Sequence, residues 1–252
     1  MGALVEEVDA HFARFKENWR DELTGTMASL DASEPILKES YRRITSLNAW
    51  RGFLEAGIAD EEVQKFFIEA QNDALTSHVL ASMWSFLSAL KSLRSCIENV
   101  LFTLYYKDHP IEMKLWLAGE HKMGFESLHK YLLAHPELKG IDPNHAGLGS
   151  LKDEYSTLSR AVHASSSRFR MTDDDEQTNI WSDDVIKLRQ WKTREDRTLA
   201  SINKLLLSLN KASLTGTAHR GLRQAASFTL PTGARATLEE SLGIALFDPL
   251  TS

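Results

Sequence analysis

The 252-residue chain is predicted to fold as an all-α protein, and three features of its sequence favour that class. Apolar residues recur at steps of three and four through most of the chain, which is the period of one helix face. Residues that begin and end helices, mainly Asp, Ser, Pro and Gly, stand between these segments. The alternation of apolar and polar residues that indicates strands is scarce.

The first two predicted helices span residues 3–24 and 34–56. The first carries one apolar stripe, formed by Leu4, Val8, Phe12, Phe15 and Trp19. The Thr24-Gly25 pair is expected to end it, because glycine readily adopts the conformation that terminates a helix. Pro35 fits the first turn of the second helix, and Gly57 is expected to follow its last turn.

A third helix is predicted over residues 61–75, capped by Asp60, and a fourth from Thr76 or Ser77 to about Lys107. The fourth is expected to be the central helix of the fold, because its apolar residues continue at helical spacing for the greatest length. These residues are Val79, Met83, Phe86, Leu90, Leu93, Ile97, Val100 and Leu104.

The remainder of the chain is predicted to contain shorter helices and one further long helix. The predicted ranges are 110–119, 123–135, 150–165, 183–212, 218–228 and 232–244. Residues 137–150 and 168–182 are predicted loops. This order indicates an N-terminal helical region over residues 1–75 and a helical bundle over residues 76–252, or one continuous domain.

Charge and cysteine content limit the classes of function. The net charge of −6 argues against a protein that wraps nucleic acid over its whole surface, although a local basic patch remains open. Cys96 is the only cysteine and cannot form an intramolecular disulfide, so a cytoplasmic location is expected. The apolar window over residues 79–106 contains charges that are costly inside a bilayer, which predicts a core helix and no membrane partner.

Polar residues on the helix predicted over residues 150–165 form the first candidate site. Tyr155, Ser159 and His163 follow one another at steps of four and therefore share one face, with Arg160 beside them. A histidine can act as a general base, and an arginine can stabilise charge on a phosphoryl group. This set suits metal-independent RNA cleavage. The alternative is that the same side chains hydrogen-bond across a helix interface.

The central helix adds a second polar position beside its apolar stripe. Arg94 and Glu98 lie four residues apart, which permits an ion pair on one helix face. Such a pair either faces a cleft, forms a buried ion pair, or extends its charged ends to solvent at the edge of the stripe.

Two segments, "LRSCIENVLFTLYYKDHP" and "YSTLSRAVHASS", together resemble the HEPN-like all-α proteins of prokaryotic defence and toxin–antitoxin systems, including abortive-infection types. The resemblance covers roughly residues 80–245 and implies a HEPN-like helical bundle, here with an N-terminal helical extension. It also implies frequent dimerisation and, in active members, metal-independent ribonuclease activity. The family's site is an arginine, then four to six residues, then a histidine. His163 matches that histidine.

The arginine of this family motif is absent at its usual spacing. The positions that would hold it are Ser156, Thr157 and Leu158, whereas Arg160 is separated from His163 by only two residues. Either Arg94 supplies the cation from the other helix, or the protein binds its target without catalysis.

The resulting hypothesis is a component of a bacterial antiviral defence or toxin–antitoxin system that acts as a metal-independent ribonuclease or RNA-binding effector. The alternative is a non-enzymatic helical interaction or regulatory subunit of a defence complex. RNA, a protein partner from the same system and further copies of the chain are the expected partners. The candidate catalytic residues are His163, Arg160, Arg94, Glu98, Tyr155 and Ser159.

No cofactor or metal is predicted. Glycine-rich nucleotide-binding loops are absent from the sequence, and the single Glu-x-x-His motif, Glu126 to His129, lacks the second copy that di-iron bundles use. A basic cluster on the long helix, interrupted by Glu195 and Asp196, is typical of a solvated helix face. Its members are Lys187, Arg189, Lys192, Arg194 and Arg197.

Overall fold

The computed structural model describes residues 3–162, 184–216 and 218–247, and all regular secondary structure within these ranges is helical. The all-α prediction is therefore confirmed. The α-helices are α1 (Ala3–Gly57), α2 (Glu61–Ser82), α3 (Phe86–Asp108), α4 (Pro110–Leu117), α5 (Phe125–Leu133), α6 (Leu148–Val162), α7 (Val185–Leu209), α8 (Arg220–Ser227) and α9 (Thr232–Leu242). Short 3₁₀ helices span Pro136–Leu138 and Lys211–Leu214.

Helix α1 is continuous over 55 residues, so the predicted break between two N-terminal helices is wrong. Gly25 lies in helical backbone, where glycine costs only about 1 kcal/mol relative to alanine. Pro35 removes one backbone hydrogen bond but leaves the helix uninterrupted. Helix-forming residues such as Leu30 and Ala32 continue the helix between these two positions.

The predicted boundary between the third and fourth helices is also wrong, because α2 continues to Ser82 and α3 begins only at Phe86. Trp84 adopts a left-handed backbone with φ 60°. Its amide donates to the Ala81 carbonyl, and the next amide, of Ser85, donates to Leu80. This is the Schellman arrangement that usually has glycine at the left-handed position. Val79 and Met83 consequently belong to the end of α2 rather than to the central helix.

One buried apolar cluster joins all the larger helices. Helices α2 and α3 form an antiparallel pair, α3 also packs on α5, α6 and α7, and the second half of α1 packs on α2, α7 and α8. The fully buried members of this cluster include Leu47, Trp50, Leu93, Ile97, Leu151 and Ile202. Residues 37–75 and the later helices therefore share one core.

Gly147 determines how closely α6 approaches α7. Its φ of +79° is unfavourable for other residues, and an added Cβ would lie 2.5 Å from the Ser201 carbonyl oxygen. The backbone contact that glycine permits holds the start of α6 against α7. The predicted loop over residues 168–182 and the end of the helix predicted to reach residue 165 lie outside the described residues.

Within the described ranges, no helix combines the length and the apolar character needed to cross a membrane.

Candidate functional site

Three of the six candidate residues meet where α3 packs on α6. The Arg94 Nη2 atom donates hydrogen bonds to the Tyr155 hydroxyl at 2.8 Å and to Glu98 Oε1 at 3.0 Å. The Tyr155 hydroxyl in turn donates to Glu98 Oε1 at 2.7 Å. The three groups form a closed triangle, termed here the Arg94–Glu98–Tyr155 triad. The Arg94–Glu98 ion pair is thus fixed from the neighbouring helix.

The buried aromatic ring of Phe125 packs against the Tyr155 ring of the triad. Phe125, at the start of α5, stacks on the Tyr155 ring with centroids 3.7 Å apart and planes inclined by 5°. The Arg94 guanidinium carbon lies 5.0 Å from the centroid of the Tyr155 ring. Phe125 is itself buried and stacks in turn on His129. The Tyr155 ring therefore has little freedom to turn.

The environment keeps Tyr155 protonated and Arg94 charged. Burial raises the pKa of the Tyr155 phenol, and its hydrogen bond to Glu98 raises it further. Burial acts to lower the pKa of Arg94, but the hydrogen bond to Tyr155 and the nearby Glu98 carboxylate outweigh it and raise that pKa. Near neutral pH, Tyr155 is therefore a hydrogen-bond donor, and Arg94 is a permanent cation paired with one carboxylate.

Two polar atoms, one in the triad and one beside it, have no hydrogen-bond partner within the described part of the chain. The Ser159 Oγ atom, one turn beyond Tyr155 on α6, is buried and lacks an acceptor or donor there. The Arg94 Nε atom is likewise buried without an acceptor. Buried polar groups normally have a partner, so these two atoms are exceptions among the described residues.

The other two candidate residues are not part of the triad. Arg160 is exposed, and its Nη2 atom donates to Thr157 Oγ1 at 3.3 Å. It follows Tyr155 by five residues, which places it about 140° away around α6. His163 lies outside the described residues, immediately after the last residue of α6, Val162.

A second polar cluster, which the sequence did not indicate, lies buried between α1, α2 and α7. The Arg43 Nε atom donates to Glu195 Oε2 at 2.8 Å and also lies 2.8 Å from Asp196 Oδ1. Arg43 Nη2 lies 2.6 Å from the same Glu195 oxygen, but at an angle too poor for a hydrogen bond. Ser40 bridges the Glu195 carboxylate, at 3.3 Å, and His78 Nδ1, at 2.9 Å.

Burial dominates the electrostatics of this second cluster. It raises the pKa of Glu195 to about 7, although Arg43 opposes the shift. It also lowers the pKa of His78, with a smaller contribution from the Arg43 charge. The residue types match a Ser–His–Glu hydrolase triad, but Ser40 is fully buried and lies between the other two, whereas catalysis needs histidine in the middle. The cluster is therefore a structural network.

Within the described part of the chain, ion pairs engage Lys192, Arg194 and Arg197 of the predicted basic cluster of α7. Arg194 Nη1 donates to both Glu154 carboxylate oxygens at 3.0 Å, and Arg197 reaches the same carboxylate at 3.4 Å. Lys192 forms an ion pair with Glu39 on α1. These contacts join α7 to α6 and to α1, so this part of the cluster holds the bundle together instead of forming a free surface for phosphate.

The Glu-x-x-His motif is divided between two unrelated contacts. Glu126 is exposed and pairs with Lys152 at 3.2 Å, whereas His129 is buried and hydrogen-bonds the Leu148 carbonyl at 3.1 Å. In the part of the chain that the structure describes, no three His, Cys, Asp or Glu residues are grouped so as to hold a metal ion.

Comparison with models of known protein families, with curated proteins and with solved structures finds no match to this chain.

Proposed function

We propose that this chain is a HEPN-like, cytoplasmic component of a prokaryotic antiviral defence or toxin–antitoxin system, and that it cleaves RNA without a metal at the α3–α6 interface. The observation that supports this is the Arg94–Glu98–Tyr155 triad, which joins the two segments that carry the family resemblance. An arginine from α3 would replace the one missing from the family's usual spacing before His163.

In this proposal Arg94 binds the scissile phosphate. Its hydrogen bonds to Glu98 and Tyr155 both use Nη2, and its Nε atom is buried, so the Nη1 atom is the one that would donate to phosphate oxygens. Its side chain is 23% exposed, which allows contact with a ligand. Glu98 and Tyr155 hold the guanidinium in place, and the unpartnered Ser159 hydroxyl lies one turn further along the same face of α6.

His163 serves as the general base. It takes the proton of the ribose 2′-hydroxyl, and the resulting oxygen attacks the adjacent phosphorus. The bond to the 5′-oxygen breaks and that oxygen takes a proton from water, while His163 returns its proton to solvent. The products carry a 2′,3′-cyclic phosphate and a 5′-hydroxyl. Arg94 stabilises the extra negative charge on the phosphorane in the transition state.

Cleavage of a labelled RNA pool in the presence of EDTA tests this mechanism. We expect Arg94→Ala and His163→Ala each to reduce cleavage by at least about 100-fold, the usual scale for a charge-stabilising or general-base group. Arg51→Ala is the matched control, because Arg51 forms the same type of i,i+4 pair, with Glu55, away from the site. Equal cleavage by all four proteins, with melting temperatures unchanged, would refute the assigned roles.

A second candidate function, a non-enzymatic interaction subunit, is favoured by the exposed apolar side chains near the start of α1, such as Phe12 and Phe15. In that case the Arg94–Glu98–Tyr155 triad only fixes the packing of α6 on α3. Purified protein would then neither cleave nor bind RNA, and Arg94→Ala would lower the melting temperature without any change in an RNA assay.

A further inference from the structure

The first part of α1 carries a partly exposed apolar stripe. Six of its side chains are between 38% and 63% exposed, namely Val5, Val8, Phe12, Phe15, Trp19 and Leu23. Scattered exposed apolar residues are ordinary, but a contiguous row that includes three aromatic rings marks an interaction surface. These six residues are termed the α1 stripe.

The spacing of the α1 stripe is that of a coiled-coil seam. Its first five residues are separated by steps of three, four, three and four, which are the a and d positions of successive heptads. Such a seam fits a second helix, because each a or d side chain inserts between four residues of the facing helix. A strand, a loop or a flat surface does not match this repeat.

We propose that the α1 stripe pairs with the α1 stripe of a second copy of this chain, with the two helices antiparallel. With the twofold axis between Phe12 and Phe15, each Phe12 faces Phe15 of the second copy, and each Val8 faces Trp19. Asp9 and Lys16 occupy the e positions that flank this seam. In this register Asp9 lies beside Lys16 of the second copy, and the symmetry forms that ion pair twice.

The charges favour this arrangement over a parallel one. In a parallel pair, each g position lies beside the e position of the next heptad on the other helix. His11 would then lie beside Lys16 of the second copy, which provides no ion pair.

The size of the surface is sufficient for a dimer. An aromatic side chain buries roughly 150–250 Å², so covering the exposed halves of the three rings would bury roughly 200–400 Å² in each copy. The valines, Leu23 and the flanking polar groups bring the total for both copies to about 1,000 Å², near the lower bound for a specific interface. The expected dimer is therefore a reversible one.

The same charges disfavour a lipid surface as the partner. Helices that lie on anionic membranes carry Lys and Arg along their polar face. Over the described side chains of residues 5–21, acidic residues outnumber basic ones, with Glu6, Glu7, Asp9, Glu17 and Asp21 against Arg14, Lys16 and Arg20.

Sedimentation of the full chain from about 1 to 100 µM tests the dimer. We expect Phe12→Glu/Phe15→Glu to raise the dissociation constant at least about 100-fold, because both central layers, in which Phe12 faces Phe15, receive buried charges. Ile111→Glu is the matched control, since Ile111 is 71% exposed on α4 and outside the stripe. A monomeric wild type, or a dimer that survives the double substitution, would overturn the proposal, and so would a monomer that binds phosphatidylserine vesicles through Phe12.

A charge exchange tests the antiparallel register. Asp9→Lys and Lys16→Asp should each weaken self-association, because each places like charges in contact twice. Mixing the two variants should restore association, because both lysines of the Asp9→Lys copy would then face both aspartates of the Lys16→Asp copy. Failure of the mixture to associate more tightly than either variant alone would overturn this register.

Distances between spin labels give an independent test of orientation. Labels at Ala13→Cys would lie close together, whereas labels at Thr24→Cys would lie about 30 Å apart along the axis. A parallel pair would give the same short distance at both positions. Burial shields Cys96 and raises the pKa of its thiol, so the label attaches to the introduced cysteine. The dimer does not depend on RNA cleavage, so these tests and the RNA assay fail or succeed separately.

Discussion

Replacing Glu195 by Gln is expected to remove a specific pH dependence from the free energy of unfolding. The Glu195 carboxyl is 1% exposed, and its pKa rises from 4.5 to about 7 in the folded chain. The folded state therefore binds a proton more tightly than the unfolded state does. Stability from this group is fully present below pH 4.5 and is lost as the pH rises through about 7.

The size of the effect follows from the shift in pKa. A shift of about 2.5 pH units corresponds to about 3 kcal/mol at 1.36 kcal/mol per unit. Asp196 and Glu154 also have raised pKa values, and His78 has a lowered one, so the total pH dependence of the wild type contains several groups. The difference between wild type and Glu195→Gln isolates the contribution of Glu195 together with its coupling to Arg43.

Urea unfolding of both proteins at pH 5, 6, 7 and 8.5 measures this difference. We expect Glu195→Gln to be less destabilising at pH 8.5 than at pH 5 by about 2–3 kcal/mol, because the variant never carries the buried charge. Glu34→Gln, on an exposed carboxyl of α1, serves as the control and should shift with pH by less than about 0.5 kcal/mol. A constant difference between wild type and Glu195→Gln at all four pH values would refute the assigned pKa.

Two further substitutions test the site and its support. Tyr155→Phe keeps the stack on Phe125 but removes the hydroxyl between Arg94 and Glu98, so we expect a loss of about 1–2 kcal/mol in urea unfolding. Tyr41→Phe, on a 57% exposed ring, should change stability by less than about 0.5 kcal/mol, and equal losses for both would contradict the triad. Gly147→Ala should cost at least about 2 kcal/mol, because it combines left-handed backbone with a close approach to Ser201. Gly140 has φ +82° but open space around it, so Gly140→Ala should cost only about 1 kcal/mol in thermal and urea unfolding. A similar cost at both glycines would rule out the contact between Gly147 and α7.

The positions of helices with a strong apolar period could be predicted from the sequence, whereas some of their ends could not. The segments that became α3, α6 and α7 were each predicted within a few residues where they are described, apart from the start of α3. That start was missed because Trp84 occupies the left-handed position where glycine is expected, and burial of its ring stabilises the turn. The continuity of α1 was missed because Gly25 and Pro35 each weaken a helix without necessarily ending it.

Polar contacts within one helix could be predicted from the sequence, whereas contacts between distant residues could not. Arg94 and Glu98 are four residues apart on one helix, so local spacing indicated their pairing, and the face shared by Tyr155 and Ser159 was indicated in the same way. Arg43 and Glu195 are 152 residues apart, and only the packing of α1 on α7 brings them together. No local pattern carries that information. Glu195 instead interrupts a basic run, so its sequence context indicated a solvated position.

Helix α7 contacts both the buried Arg43 cluster and the helix that carries Tyr155 of the triad. Its adjacent residues Arg194 and Glu195 point to different neighbours, Arg194 to Glu154 on α6 and Glu195 to Arg43 on α1. A buried ion pair contributes little net stability, but breaking one by removing a single partner is costly, so each pair restricts how its two helices can slide. Glu154 is fixed to α7 while its neighbour Tyr155 is fixed to α3. The polar contacts of α6 on both sides therefore hold Tyr155 against Arg94. Arg194, whose sequence context indicated a solvated helix face, contributes to this through its ion pair with Glu154.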